Sequence, residues 1–169
     1  MLCLLLQLIH LYDARQYGGG PFADLKVQQN AIEKAVNERG MTRELSIELS
    51  KAQWTSMKFN TSGKHLLVTA SRGLALMVDG YDSSVTNAFV AEGANLAQPP
   101  SEPPAVCFAS DDNTILMGNE NGTITCWNAN TGEALRKLEG HVGRVGCIAA
   151  NGKYAQIASA CTNTALWIW

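Results

Sequence analysis

A block of like charge, a metal-ligand pattern and a long apolar run are all missing from this sequence of 169 residues. Its 13 basic and 15 acidic residues are scattered and leave a net charge of -2. Without a basic stripe there is no electrostatic footprint for nucleic acid, and no direct nucleic-acid partner is expected. The cysteines Cys3, Cys107, Cys126, Cys147 and Cys161 are odd in number and never spaced C-x-x-C. That argues against a zinc site or a disulfide framework, and the expectation is buried free thiols packed as small hydrophobes in a reducing compartment. No run approaches the ~20 apolar residues that a bilayer crossing requires, so no membrane partner is expected. The opening segment 1–9 is apolar, but it lacks a basic start and runs into His10-Leu-Tyr-Asp13 where a small-residue cleavage site would stand. It reads as a buried strand, not a signal peptide.

Catalytic constellations are missing as well. Gly18-Gly19-Gly20 is followed by Pro21, without the Lys and Ser/Thr of a phosphate loop, and is only a turn. Asp111 and Asp112 are adjacent in a turn, where their side chains diverge into water. His10 lies in a strand and His65 beside a turn, neither with a nearby Ser or Cys to form a nucleophile pair. The reading is of a protein that is not an enzyme and needs no cofactor and no metal. Lys153, Arg144 and Arg72 lie in or beside loops where they could meet phosphate, but solvated side chains are the favoured reading.

What is present is a periodic all-β pattern. Hydrophobic residues make up 46% of the chain and charged residues 17%, enough for a globular core. The strand ends Tyr12-Asp13, Val78-Asp79, Trp127-Asn128 and Trp167-Ile168 are taken as equivalent, at spacings of 66, 49 and 40 residues. The first falls to 42 when residues 27–50 are set aside as an insertion, and the second contains a Pro-rich loop at 91–104. A period near 40 with four short strands per unit is the signature of propeller blades. Apolar residues alternate at Leu74, Leu76 and Val78, and the runs 64–69 and 113–117 are bounded by turn residues. Asn60-Thr-Ser-Gly63, Ser110-Asp-Asp-Asn113, Asn151-Gly152 and Glu120-Asn121-Gly122 supply tight turns.

The insertion at 27–50 has a different period. Val27, Ala31, Ala35 and Ile32, Val36 recur at i, i+4, charges interleave, and Gly40 punctuates, which predicts a short surface helix with a second helical stretch over 42–51. The 91–104 segment reads as a mobile loop with few groups able to pack.

Gly118-Asn-Glu-Asn-Gly-Thr-Ile-Thr-Cys-Trp-Asn128, followed by Gly140-His141, resembles the repeating unit of WD-repeat proteins. In such repeats the resemblance implies a network in which a His bonds an acidic turn residue, a Ser or Thr on a neighbouring strand, and through it the Trp indole. The structural positions implied here are Asp13, Asp79, Asn121, Trp127, Gly140, His141, Ser159 and Trp167. His141 is expected to use Ser159 and Trp167 of its own blade. Its turn partner is less defined, because Ser159-Ala-Cys-Thr-Asn163 holds no Asp and Asn163 is the nearest polar substitute.

Two strings are narrower than the repeat. Leu11-Tyr-Asp-Ala-Arg-Gln-Tyr-Gly-Gly-Gly-Pro-Phe-Ala23 and Ala158-Ser-Ala-Cys-Thr-Asn-Thr-Ala-Leu-Trp167 resemble the WD repeat-containing protein 82 family, the WD-repeat subunit of the COMPASS histone H3 lysine methyltransferase. The likeness reaches nearly the whole chain apart from 27–50, and matches only the C-terminal half of the family. It implies a nonenzymatic scaffold in the nucleus. The implied partners are histone methyltransferase complex subunits, the phosphorylated RNA polymerase II C-terminal domain, and a protein phosphatase 1 or mRNA 3'-end processing complex. The competing readings are a WD-repeat adaptor of an unrelated assembly, such as a ubiquitin ligase substrate receptor, and a nonfunctional fragment. The expected fold is a partial propeller of about three four-stranded antiparallel blades plus one strand, and truncation of a longer chain is the expected origin of that count.

Overall fold

The computed structural model describes residues 7–93 and 102–168, with Tyr17 described by its backbone alone. Expectations for residues 1–6, for Cys3 and for the middle of the Pro-rich loop lie outside the described residues. The first sheet pairs β1 (Gln7–Leu11) with β2 (Ala23–Val27) across a 3-10 segment at Ala14–Gly19. The second runs in the order β3 (Trp54–Phe59), β4 (His65–Ala70), β5 (Leu74–Asp79), β6 (Val85–Val90). The third follows the same meander with β7 (Val106–Phe108), β8 (Thr114–Gly118), β9 (Thr123–Asn128) and β10 (Ala134–Glu139). The fourth holds β11 (Cys147–Ala150), β12 (Gln156–Ala160) and β13 (Thr164–Ile168). All pairings are antiparallel. The described strands therefore make two complete four-stranded units, a three-stranded one and a pair, an open array and not a closed barrel.

The cores lie between sheets. Side chains alternate along a strand, so a central strand can feed two different cores. In β5, Leu74, Leu76 and Val78 face the first sheet, joining Ile9, Leu25 and Val27, while Ala75 and Met77 face the third sheet, joining Val106, Ile115 and Met117. On the far side of the third sheet Leu116, Ile124 and Cys126 share a core with Ile148 and Ile157 of the fourth and with Val145 of the connection entering it. The alternation expected at Leu74, Leu76 and Val78 is thus one half of a two-sided pattern, and five of the six β5 residues are buried.

Val27, read as the first residue of the helical pattern, instead ends β2, and the segment after it folds as α1 (Gln29–Asn37) and α2 (Arg43–Ser50). Thr42 caps α2 by accepting the Leu45 N–H, satisfying a donor that helix geometry leaves open. Ile32, Ala35, Val36 and Leu49 enter the same core as Leu66, Val68 and Leu76, so the apolar face of the insertion shares that core with the strands. α1 packs along β6. Beyond it, Arg39 donates to Thr131 O at 2.8 Å and to Asn87 Oδ1, and Asn87 Nδ2 donates to Ala129 O and Asn130 O at 2.7 and 2.8 Å.

The thiols depart from the expectation of uniform burial. Cys107 and Cys126 are buried, and desolvation pushes the Cys107 thiol up to about 11. Cys147 is exposed and Cys161 partly so. Cys147 alternates with the inward-facing Ile148 and lies on the outer face of the last sheet, where Leu166 and Ile168 are also exposed.

If the insertion is part of the core, Ile32→Ala should lower the unfolding free energy by about 2–5 kcal/mol within one cooperative denaturant transition. A loss below about 1 kcal/mol would mark residues 27–50 as an appendage.

Candidate functional site

In an antiparallel meander the second-to-third connection and the link to the next sheet emerge at one end, the other turns at the opposite end. At that opposite end the polar residues recur in register. Asp13 Oδ1 accepts the Arg15 N–H at 2.9 Å, Asp79 Oδ1 accepts those of Tyr81 and Asp82 at 2.8 and 3.2 Å, and Asn128 Oδ1 accepts those of Asn130 and Thr131 at 2.9 Å. Each carries the chain round a turn by replacing a backbone acceptor with a side-chain one. Asp112, at φ 55°, also links neighbours, since its carboxylate accepts the Thr61 and Ser62 N–H groups at 2.8 and 2.9 Å.

The first end holds the candidate site. The buried Ser159 hydroxyl accepts the Trp167 indole N–H at 2.7 Å and lies 2.6 Å from His141 Nε2. His141 Nδ1 stands 3.2 Å from both Cys161 Sγ and Asn163 Oδ1. Gly140 is needed for close approach, because a Cβ there would lie 2.7 Å from the Trp167 ring. The partly buried Trp167 indole N–H finds its acceptor in this chain of contacts, which also orients the imidazole.

The equivalent positions in the other sheets differ. Register aligns Trp127 with Trp167, each opposite an Ile, and aligns Met117 with Ser159. With a thioether where the hydroxyl stands, Trp127 Nε1 is buried without a hydrogen-bond partner among the described residues. Its ring instead packs near Phe89, centroids 6.0 Å apart. In the second sheet the matching residues are Val78 and Val68, both apolar.

Asn121 is exposed, and its Oδ1 accepts from the Thr123 N–H and hydroxyl. The buried residue of that turn is Asn119, which sequence reasoning passed over. Its Nδ2 donates to Thr123 and Thr125 Oγ1 at 2.9 Å, its Oδ1 accepts the Glu92 N–H at 3.0 Å, and its carbonyl accepts the Val145 N–H at 3.2 Å. Asn119 therefore ties the third sheet to the chain arriving from the second and to the chain entering the fourth. The available signal was the pair Thr123 and Thr125, which face one side of β9. Gly122, at φ 85°, completes the turn where a Cβ would lie 2.3 Å from His141 O.

A belt of ion pairs crosses the same loops. Arg144 donates to Glu120 at 3.0 Å, to Glu102 at 2.6 Å and to Pro103 O at 2.6 Å, Arg72 pairs with Glu48 at 3.5 Å, and Lys137 pairs with Glu92. Lys153 lies 5.3 Å from the Tyr154 ring centroid. Exposed pairs of this kind add little stability.

The chain is 30% identical over 161 residues to WD repeat-containing protein 82 of Drosophila melanogaster, covering 95% of this chain and 44% of that protein. It is 23% identical over 120 residues to COMPASS component SWD2 of Saccharomyces cerevisiae, covering 71% of this chain and 31% of that protein. The chain thus spans less than half the length of the curated relatives it matches. The solved structure of the RRP9 WD40 repeats superposes with a TM-score of 0.58 at 16% identity, covering 69% of this chain and 36% of that one. No family model matches the sequence. The four-sheet array is a partial WD-repeat propeller, each sheet a blade or part of one, and its sequence resembles WD repeat-containing protein 82.

We propose a structural role for the His141 network and for Asn119. Asn119→Ala should cost about 1–3 kcal/mol of stability by leaving buried groups unpaired, whereas Asn121→Ala should stay within about 0.5 kcal/mol. His141→Ala should lower the melting temperature, and an unchanged value in thermal denaturation would remove the structural assignment.

Proposed function

We propose that this chain is a nonenzymatic scaffold in the nucleus, a WD-repeat subunit of a histone H3 lysine methyltransferase complex. The observation that carries the reading is the combination of a WD-repeat fold with a likeness extending over 95% of the chain to WD repeat-containing protein 82. The yeast relative's name, COMPASS component, supports the class of assembly. The proposed further contacts are the serine-phosphorylated C-terminal domain of RNA polymerase II and a protein phosphatase 1 or mRNA 3'-end processing complex.

The mechanism is recruitment by positioned loops. Rigid sheets sharing three cores hold connections such as 91–93, 102–105 and 140–146 at one end, and short segments of several partners can meet surfaces held this way. Arg144, drawn in as a possible phosphate contact, is occupied by Glu102, Glu120 and Pro103 O, so a phosphate would have to displace two carboxylates to reach it. Lys153 is exposed at the opposite end, in the β11–β12 turn, and is the more accessible cation.

Affinity purification of the tagged chain from nuclear extract, with companions identified by mass spectrometry, checks the proposal. Recovery of methyltransferase subunits is the expected result. A companion set made of ubiquitin ligase subunits would move the chain to an unrelated adaptor class, and a chain recovered alone would end the scaffold reading.

A further inference from the structure

Ser159 and Trp167 together orient the proton of His141. An indole N–H only donates, so the Ser159 oxygen accepts from Trp167 and keeps its own proton to give. Ser159 is buried, and the acceptor within hydrogen-bond distance among the described residues is His141 Nε2 at 2.6 Å. A hydroxyl that accepted from both neighbours would instead leave a buried proton unpaired, at a cost that favours the first arrangement. The imidazole proton therefore resides on Nδ1, which faces both Cys161 Sγ and Asn163 Oδ1 at 3.2 Å.

The sulfur has further donors. The Asn163 N–H reaches it at 3.4 Å and the Thr162 hydroxyl at 3.7 Å. In the thiol form the S–H donates to Asn163 Oδ1 at 2.6 Å, an acceptor that also faces His141 Nδ1. Cys161 is partly exposed, whereas Cys107 and Cys126 are closed inside the cores. The Asn163 backbone N–H, above all, holds the thiol down to about 6 against desolvation, with smaller contributions from Thr162, His141 and the Val142 backbone.

We propose that Cys161 and His141 form a reactive thiolate–imidazole pair, and that Cys161 is a modification site for hydroperoxides and soft electrophiles on the loop end of the propeller. With hydrogen peroxide the thiolate attacks one peroxide oxygen. An S–O bond forms as the O–O bond breaks, the sulfur is oxidised by two electrons to sulfenic acid, and the departing hydroxide takes a proton to become water. The pair does not depend on the scaffold reading.

The test is peptide-resolved mass spectrometry of the whole chain after brief iodoacetamide treatment across pH 5–9, with the exposed Cys147 as internal reference. Cys161 alkylation should rise through a midpoint near 6. At pH 6 it should exceed an ordinary exposed thiol by about tenfold, once the lower nucleophilicity of a more acidic thiolate is discounted. A profile parallel to that of Cys147 would overturn the proposal, and this comparison needs no variant. Ser159→Ala, which frees the imidazole tautomer, should move the Cys161 midpoint upward while circular dichroism confirms the fold. A folded S159A protein with an unmoved midpoint would equally count against it. Dimedone trapping after hydrogen peroxide should label Cys161 ahead of Cys147, and equal labelling would remove the peroxide claim.

Discussion

The two central blades depend on burying both of their faces against neighbours. Central strands such as β5 and β8 have no solvent side: Leu76 and Met77, adjacent in sequence, belong to different cores, as do Leu116 and Met117. A two-sided apolar sheet has no stable existence alone, because an exposed face of that size would recruit whatever is near it. The array therefore gains stability from its interfaces, and the number of sheets, not the quality of any one, sets how much apolar surface is removed from water. The outer face carrying Leu166 and Ile168 is an apolar face that has no such partner among the described residues.

Polar residues then decide how the sheets are joined. The interfaces are apolar and nondirectional, so a sheet could slide on its neighbour with little change in burial. Asn119, Asn87 and Asp112 remove that freedom, each making directional hydrogen bonds to a segment of a neighbouring blade or of the insertion. Asn119 holds both of its neighbours at once. Such groups are satisfied at several atoms, which is the condition under which a buried amide specifies geometry without a desolvation penalty.

Much of this was legible in the chain. The spacing of Tyr12-Asp13, Val78-Asp79 and Trp127-Asn128 located equivalent strand ends because turn chemistry is local: an Asp or Asn that accepts from the residue two further on leaves a mark in the sequence. Period-2 alternation located the strands. It did not disclose that β5 is buried on both faces, since Ala75 and Met77 are unremarkable apolar residues until a second sheet covers them. Asn119 was missed in favour of Asn121 because both flank the same tight turn, and only the register of β9, which aims Thr123 and Thr125 back at the turn, separates the buried amide from the solvated one. The exposed thiols were missed for a related reason: Cys147 and Cys107 look alike in sequence, and which face has a neighbour is a tertiary fact.

The hydrogen bond from Arg39 to Thr131 joins residues 92 positions apart. Closing a loop of that length in an unfolded chain costs about 4 kcal/mol of entropy, more than the about 1.5–3 kcal/mol that a charge-assisted hydrogen bond returns. The contact therefore cannot lead folding. It forms after β3 to β10 have brought the two segments near each other through hairpin pairings that are short in sequence. That order concerns the Arg39 contact alone, since the apolar face of the helices belongs to the same core as β4 and β5.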